Sequence, residues 1–305
     1  MSKKRKLSFE IPRKLHFIWI GSNVPEKYLH NIFSFFSADY DITLWTDNEN
    51  SYCKTLSELN MSRKLIIKNI KTVIEEIHTY MPNIGALTQC MWREMIGLYY
   101  NRAAAADILR LYILYIHGGI YMDVDIRTLL KFRGFGQLIC KHGVLYRCNG
   151  KTKLGGNNDI IASIPFSSLI KQMILTSLAR YRSNFALTWQ SKREPETKYT
   201  RVLNILAKRA TDIMRKEDSV ESKEFIEIEN EIEVLNKSRA NGRVNQTMYL
   251  TGPTLVCDVL TMALLTDVTS SVNQLVSELA FPLTDLIIRC DNNWKVPPQR
   301  YSIDI

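Results

Sequence analysis

The chain has 305 residues, 46% of them hydrophobic, which allows a substantial buried core and excludes disorder as the main state. Forty Lys and Arg against 31 Asp and Glu leave a net charge of +9. That surplus favours anionic partners such as nucleotide phosphates, nucleic acid or an acidic lipid face, and does not choose among them. Six cysteines, at 53, 90, 140, 148, 257 and 290, show no CxxC and no clustering with histidine, so they suggest neither a structural zinc site nor a disulfide framework and read as reduced, mostly buried thiols.

The first residues, Met1-Ser2-Lys3-Lys4-Arg5-Lys6, are basic like the start of a signal peptide. Glu10, Arg13 and Lys14 then break the apolar stretch that should follow, so Sec-type export is not expected and residues 1–10 read as a flexible basic terminus. No apolar run approaches the roughly 18 residues needed to cross a bilayer. Residues 15–20 form a short apolar run ending at Gly21-Ser22, which reads as a buried strand followed by a loop. Residues 40–45 read as a second strand, with a turn at Thr46-Asp47-Asn48. A helical pattern covers 51–79, Pro82-Asn83-Ile84-Gly85 interrupts it, and a second helical stretch runs from 86 to about 100.

The clearest helix spans 103–116 and is stopped by His117 with Gly118-Gly119, after which 120–126 resumes as a strand. Alternating strands and helices predict an α/β fold. The polar 191–198 and acidic 217–233 place an insertion over approximately 185–245, and 291–305, with Pro297-Pro298, reads as a closing strap. No repeat and no long linker divides the chain, so 1–305 reads as a single catalytic domain.

The chemistry concentrates where this helix feeds this strand. Asp123 and Asp125 are two apart, so in a strand they share one face. Two such carboxylates need compensation, and a hard divalent cation, Mg²⁺ or Mn²⁺, can tie them to a diphosphate. A lone DxD is common in solvated loops, but the apolar Gly-Gly-Ile-Tyr-Met approach makes this one the end of a buried strand, where open α/β sheets carry ligands. Asp107 and Arg110, three apart, lie on one helix face. An exposed ion pair is the ordinary reading of that spacing, and the four alanines 103–106 instead favour close approach of a ligand.

Residues 103–125 resemble the DxD region of glycosyltransferases of the GT-A fold, most closely that of bacterial toxin and effector enzymes such as the large clostridial cytotoxins. Phe17-Ile18-Trp19-Ile20-Gly21 resembles the first strand of that family. The resemblance implies a Rossmann-like nucleotide-diphospho-sugar transferase with helical insertions. It also implies a retaining reaction that moves glucose or N-acetylglucosamine from a UDP-sugar to a hydroxyl of a host protein, small GTPases being family acceptors.

Carried over, Trp19 stacks on uracil with Ile18 beside it, Asp107 and Arg110 hold the donor sugar, and Tyr121 lines the nucleotide pocket. Asp123 contacts ribose and sugar, and Asp125 ligates the Mn²⁺ or Mg²⁺. Asn158, within Asn157-Asn158-Asp159, falls where the family places an asparagine near the sugar. Trp294 matches a tryptophan that closes over the diphosphate. Asn292 stands in place of the toxins' serine as a metal-side ligand, and Arg289 stands where they have an acidic residue. With no Sec signal expected, the resemblance implies Sec-independent delivery into a host cytosol, bacterial cytoplasm being the alternative, with peripheral contact to anionic membrane open to the basic surface. The rival on the same fold is a sugar-to-sugar transferase of capsule or lipid-linked glycan synthesis. A nucleic-acid module driven by charge leaves the DxD and Trp19 unexplained, so no nucleic acid is expected.

Overall fold

The computed structural model describes residues 8–21, 24–36, 39–49, 52, 65–96, 101–129, 131–148, 156–184, 205, 206, 208, 209, 212, 223, 224, 227, 228, 231, 247–264, 271–283 and 286–288. In chain order the elements are β1 (Phe9–Glu10), β2 (Lys14–Trp19), α1 (Glu26–Phe33), β3 (Asp41–Thr46), β4 (Leu65–Asn69) and α2 (Ile70–Tyr80). A 3₁₀ turn (Pro82–Ile84) precedes α3 (Gly85–Ile96) and α4 (Arg102–His117). Then come β5 (Gly119–Met122), β6 (Ile126–Thr128), β7 (Ile139–Cys140), β8 (Val144–Cys148), β9 (Gly156–Ser163) and α5 (Ser168–Asn184), followed by α6 (Pro253–Leu264), α7 (Val272–Leu279) and β10 (Leu286–Ile288).

Six strands form the central sheet in the order β4-β3-β2-β5-β9-β8. The four strands β4, β3, β2 and β5 run parallel, while β9 lies antiparallel to both β5 and β8. This is the mixed α/β sheet expected of a GT-A fold. Side chains alternate across it: Leu15 and Phe17 enter one apolar cluster with Tyr28, Leu29 and Ile32 of α1, while Ile18 and Ile20 enter the other with α2, α3 and α4. Burial on both faces is why β2 reads as an unbroken apolar run.

Helix α4 lies at the centre of the second cluster, with eleven buried residues from Ala104 to Tyr115. Apolar side chains all round mark a core helix rather than a surface one. Asn101 caps it by accepting from the Ala104 N–H at 3.3 Å. At its other end Gly118 and Gly119 have φ of +60° and +89°, and a Cβ on Gly119 would stand 2.7 Å from the Lys14 carbonyl. Only glycine lets the chain turn there and still pack against β2.

Three readings of the sequence are corrected. Within the helix expected over 51–79, residues 65–69 are instead strand β4, because Leu65-Ile66-Ile67 pairs with β3, and the helical part begins at Ile70, where the Asn69 side chain accepts from Lys71 N–H at 2.9 Å; 51 and 53–64 lie outside the described residues. The strand expected over 120–126 stops at Met122, so Asp123 and Asp125 lie in a turn beyond it, closed by Ile126 N–H donating to Asp123 O at 3.1 Å. Finally, residues 247–264 do reach the length and composition of a membrane span, with a mean hydropathy of 1.2 over 18 residues. The chain turns at Thr251 and Gly252, and Leu255, Val256, Val259 and Leu260 are packed in the core. The described cysteines 90, 140, 148 and 257 are free thiols, two of them buried. Of the insertion over 185–245 only scattered residues are described, and the strap 291–305 lies outside the described residues.

Candidate active site

The chain lays down β2, β3 and β4 in one direction and then returns to place β5 on the other side of β2. The carboxyl ends of β2 and β5 therefore flank the topological switch point, where open α/β sheets bind ligands. Trp19, Ile20 and Gly21 leave one of these ends and Asp123 to Asp125 leave the other. Antiparallel β9 brings the start of its own strand, Asn157-Asn158-Asp159, to the same edge.

Asp107 and Arg110 point from α4 into this corner and are both buried. Arg110 Nη2 pairs with Asp107 Oδ1 at 2.8 Å and with Asp123 Oδ1 at 3.3 Å, and Nη1 donates to the Asn158 carbonyl. Its guanidinium also stacks 4.3 Å from the Tyr121 ring centroid, and the Tyr121 hydroxyl donates to Asp123 Oδ1 at 2.6 Å. Asn158 Nδ2 donates to Asp107 Oδ1 at 2.8 Å, and the Thr251 hydroxyl donates to Asp107 Oδ2 at 2.9 Å. One buried cation thus ties together α4, β5 and β9, and fixes the first aspartate of the turn.

Charge explains the direction of each titration shift. Burial pushes the Asp107 carboxyl up, Arg110 opposes that, Asp123 adds to it, and the bonds from Thr251 and Asn158 oppose it. Burial would lower the Arg110 pKa, but Tyr121, Asp107, Asp123 and Asp159 together raise it and keep the guanidinium charged. Asp159 is pushed up to about 7, by burial first and then by Asp123 and Asp125, against Arg147 and Arg110. Its Oδ2 takes Arg147 at 2.8 Å and Asn157 at 3.2 Å, whereas its buried Oδ1 has no hydrogen-bond partner among the described residues.

A carboxyl oxygen with no hydrogen-bond partner among the described residues, beside Asp123 and Asp125, is a place that a proton or a cation would stabilise. Among the described residues no group of three or more His, Cys, Asp or Glu could cage a metal by itself. The donors fit a hard ion such as Mg²⁺ or Mn²⁺ that draws the rest of its shell from substrate oxygens and water. Main-chain bonds hold the turn in place: Asp123 N–H donates to Asp159 O at 2.9 Å, and Asn31 Nδ2 of α1 donates to Val124 O at 2.9 Å.

The structure brings Asp107, Arg110, Tyr121, Asp123 and Asn158 into one connected network. Asp125 stands in the same turn. Trp19 sits at the mouth, half-buried, with its ring 5.4 Å from Tyr28. The Ile18 side chain points the other way, into the core around α4. Tyr121 is itself a buried strut between Arg110 and Asp123. Asn292, Trp294 and Arg289 lie outside the described residues. Sequence reasoning missed Thr251 and Arg147, which join the network from residues 144 and 12 positions away from their partners, a separation at which no local pattern operates. Asp159 was legible only as the neighbour of Asn158.

The fold is that of GT-A glycosyltransferase domains, and the DXD-bearing region is similar to theirs. Residues 26–140 match the family described as "Glycosyltransferase sugar-binding region containing DXD motif", a stretch that includes Asp107, Arg110, Asp123 and Asp125. The chain is 26% identical over 205 residues to "Subversion of eukaryotic traffic protein A" of Legionella pneumophila, covering 65% of this chain and 30% of that protein. It is 28% identical over 139 residues to a protein named "Toxin" of Photorhabdus asymbiotica, covering 44% of this chain and 4% of that one. The chain thus spans less than a third of the length of these curated relatives.

Among solved structures, the UDP-bound glycosyltransferase domain of the YGT toxin superposes with a TM-score of 0.54 at 13% identity, over 83% of this chain and 77% of that one. The catalytic domain of alpha-toxin from Clostridium novyi gives 0.54 at 16% identity, over 95% and 80%. Both likenesses show the fold. The resemblance to toxin and effector glycosyltransferases is thereby borne out: this chain carries their DXD-containing region on their fold.

Proposed function

We propose that this chain is a metal-dependent, retaining glycosyltransferase that moves glucose or N-acetylglucosamine from a UDP-sugar to a protein hydroxyl in a eukaryotic host, small GTPases being the acceptor class to test first. The observation that carries the donor half is the buried Asp107–Arg110–Asp123 network beside the DXD turn, at the carboxyl ends of β2 and β5. A buried, fully charged guanidinium with two carboxylates is costly as mere structure. Placed at a switch point, it serves to orient a polyhydroxylated, anionic ligand.

In this reading Trp19, with the main chain of Ile18, holds uracil, Asp107 and Arg110 hold the sugar, and Asp123 reaches ribose and sugar. Tyr121 and Asn158 keep those groups in register. Asp125, with Asn292 and Trp294 from the closing strap, completes the diphosphate side. A bound Mn²⁺ or Mg²⁺ supplies charge neutralisation to the diphosphate. The C1–O bond to the diphosphate breaks with its electron pair leaving on UDP, the acceptor oxygen bonds to C1, and the hydroxyl proton is released. Fixed dipoles and orientation supply the catalysis.

The host-protein half rests on the relatives. One carries a name tied to eukaryotic traffic and another is named a toxin, which supports action in a host cell, with delivery by a Sec-independent route part of the same proposal. The single-domain organisation, with an acceptor-side insertion over 185–245, belongs to the same proposal, as does contact of the basic surface with anionic membrane. The test incubates the chain with several UDP-sugars and Mn²⁺ and measures free UDP, then adds labelled donor to eukaryotic lysate and to extracted bacterial glycans. Release of UDP from one donor and label in a discrete protein band are expected. Label found solely in glycan or lipid fractions would transfer the assignment to sugar-to-sugar synthesis.

A further inference from the structure

The segment 247–252 approaches the site from far along the chain, and Thr251 in it is 2% exposed. Asp107 Oδ1 is held by Arg110 and Asn158, each at 2.8 Å. Oδ2 is held by the Thr251 hydroxyl at 2.9 Å. The terminal torsion of an aspartate is broad, so fixing one oxygen leaves the carboxylate plane free to swing. Thr251 removes that freedom.

The turn that carries Thr251 is itself anchored. Thr251 N–H and Gly252 N–H both donate to Thr247 O, at 3.1 and 2.9 Å. Thr247 Oγ1 accepts from Asn101 Nδ2 at 2.6 Å, the same asparagine whose other atom caps α4. From α5, Arg180 donates to the Tyr249 carbonyl, lies 4.1 Å over the Tyr249 ring, and pairs with Asp258 of α6 at 2.6 Å. Two bonds, Asn101 to Thr247 and Thr251 to Asp107, therefore dock this turn on the first two turns of the helix that bears Asp107 and Arg110.

We propose that Thr251 is a positioning residue for the donor sugar: it holds the Asp107 carboxylate in the plane that meets the sugar hydroxyls, and contributes nothing to the UDP half of the donor. This inference rests on the UDP-sugar reading above. It predicts a split between two ligands that share one pocket, which loss of stability alone does not produce.

The test compares the wild-type chain with Thr251→Val, which keeps the shape and loses the hydroxyl, and Thr251→Ser, which keeps the hydroxyl. UDP affinity is measured by titration with Mn²⁺, and kcat/KM for hydrolysis is measured with UDP-glucose and UDP-N-acetylglucosamine. The valine variant is expected to lose about tenfold or more in kcat/KM, the size of one hydrogen bond to a charged group. Its UDP affinity should stay within about twofold and the serine variant should recover most of the loss. If the valine variant does not fold, Thr251→Ala, which adds no bulk, takes its place. Equal losses for UDP and UDP-sugar, no loss at all, or a serine variant as impaired as valine would overturn the inference. A wild-type chain that binds UDP yet releases it from none of the UDP-sugars would instead overturn the donor reading, before any variant is compared.

Discussion

Asp123 and Asp125 are treated differently by the protein that surrounds them, and this decides what their removal does. The Asp123 side chain is 36% exposed although Tyr121 and Arg110 hold its Oδ1, and the turn is shaped by main-chain bonds to Ile126, Asp159 and Asn31. Asparagine at both positions preserves an oxygen for Tyr121 and leaves those main-chain bonds alone. Asp123→Asn with Asp125→Asn should therefore abolish donor hydrolysis while the melting temperature changes by only a few degrees; near wild-type turnover without metal would refute the metal-diphosphate role. Trp19 gives a second test. It is half-buried at the mouth of the site, its ring tilted 43° to that of Tyr28, and on the donor reading Trp19→Ala should weaken UDP binding by about 1–3 kcal/mol, the value of a base stacked on an aromatic ring. A core tryptophan would instead cost about 3–5 kcal/mol of stability with UDP binding intact in the folded fraction, and melting with titration separates the two.

The element that controls the site is the junction of α4 and β5. Helix α4 positions Asp107 and Arg110, β5 positions Tyr121 and Asp123, and the Gly118-Gly119 corner sets the angle between them. With φ of +89° and the Lys14 carbonyl 2.7 Å from where a Cβ would stand, Gly119→Ala meets both strain and a backbone clash. Stability should fall by at least about 2 kcal/mol in denaturant unfolding, and donor hydrolysis should fall further than the lost folded fraction explains, because β5 carries the turn. Undiminished stability would mean that the corner relaxes without moving β2. The double glycine is legible in the sequence as a helix stop, whereas the close approach of β2 that also demands it is not.

Across the whole molecule, two histidines, His16 buried and His117 partly buried, set the response to acid. Trp45 Nε1 can only donate, so His16 Nδ1 accepts from it at 3.3 Å and His16 Nε2 carries the hydrogen given to the Gly118 carbonyl at 3.0 Å. Protonation would place two N–H groups face to face. Burial first, then His117, lowers the His16 pKa to about 3, and burial lowers that of His117 to about 4. The unfolded chain takes these protons near pH 6.5, so the stability they contribute is full above about 6.5 and is lost as pH falls toward the folded values. Asp159, raised to about 7, acts with the opposite sign over the same interval, since there the folded state takes the proton first. The histidine part is isolated by difference: His16→Gln should flatten the fall in stability between pH 7 and 4 by on the order of 3 kcal/mol relative to wild type. Parallel pH profiles for the two proteins would show that His16 is not held neutral.

Residues close in sequence determined much of this protein unaided. The apolar run at 15–20, the helix stopped at Gly118-Gly119, the DxD after it and the three-residue Asp107–Arg110 spacing are all carried by residues close in sequence and by turn chemistry. These forces act within a few residues and so leave a readable trace. The 51–79 segment was misread because a short run of Leu65-Ile66-Ile67 is apolar in either period, and pairing with β3 decided for a strand. The turn at Asp123–Asp125 was misread as strand because no glycine or proline marks its start after Met122; Asn31 Nδ2 donating to Val124 O, with Ile126 N–H donating to Asp123 O, holds the chain in the turn. Tertiary structure alone decided that the Asp107–Arg110 pair is buried rather than solvated, that Thr251 and Asn158 hold it, and that Asp159 keeps one oxygen bare. The Asp107 bonds to Asn158 and Thr251 join groups 51 and 144 positions apart, and Asp159 is buried among groups from three separate elements, in a medium of low polarizability where hydrogen bonds and charges become decisive and no local sequence pattern records them.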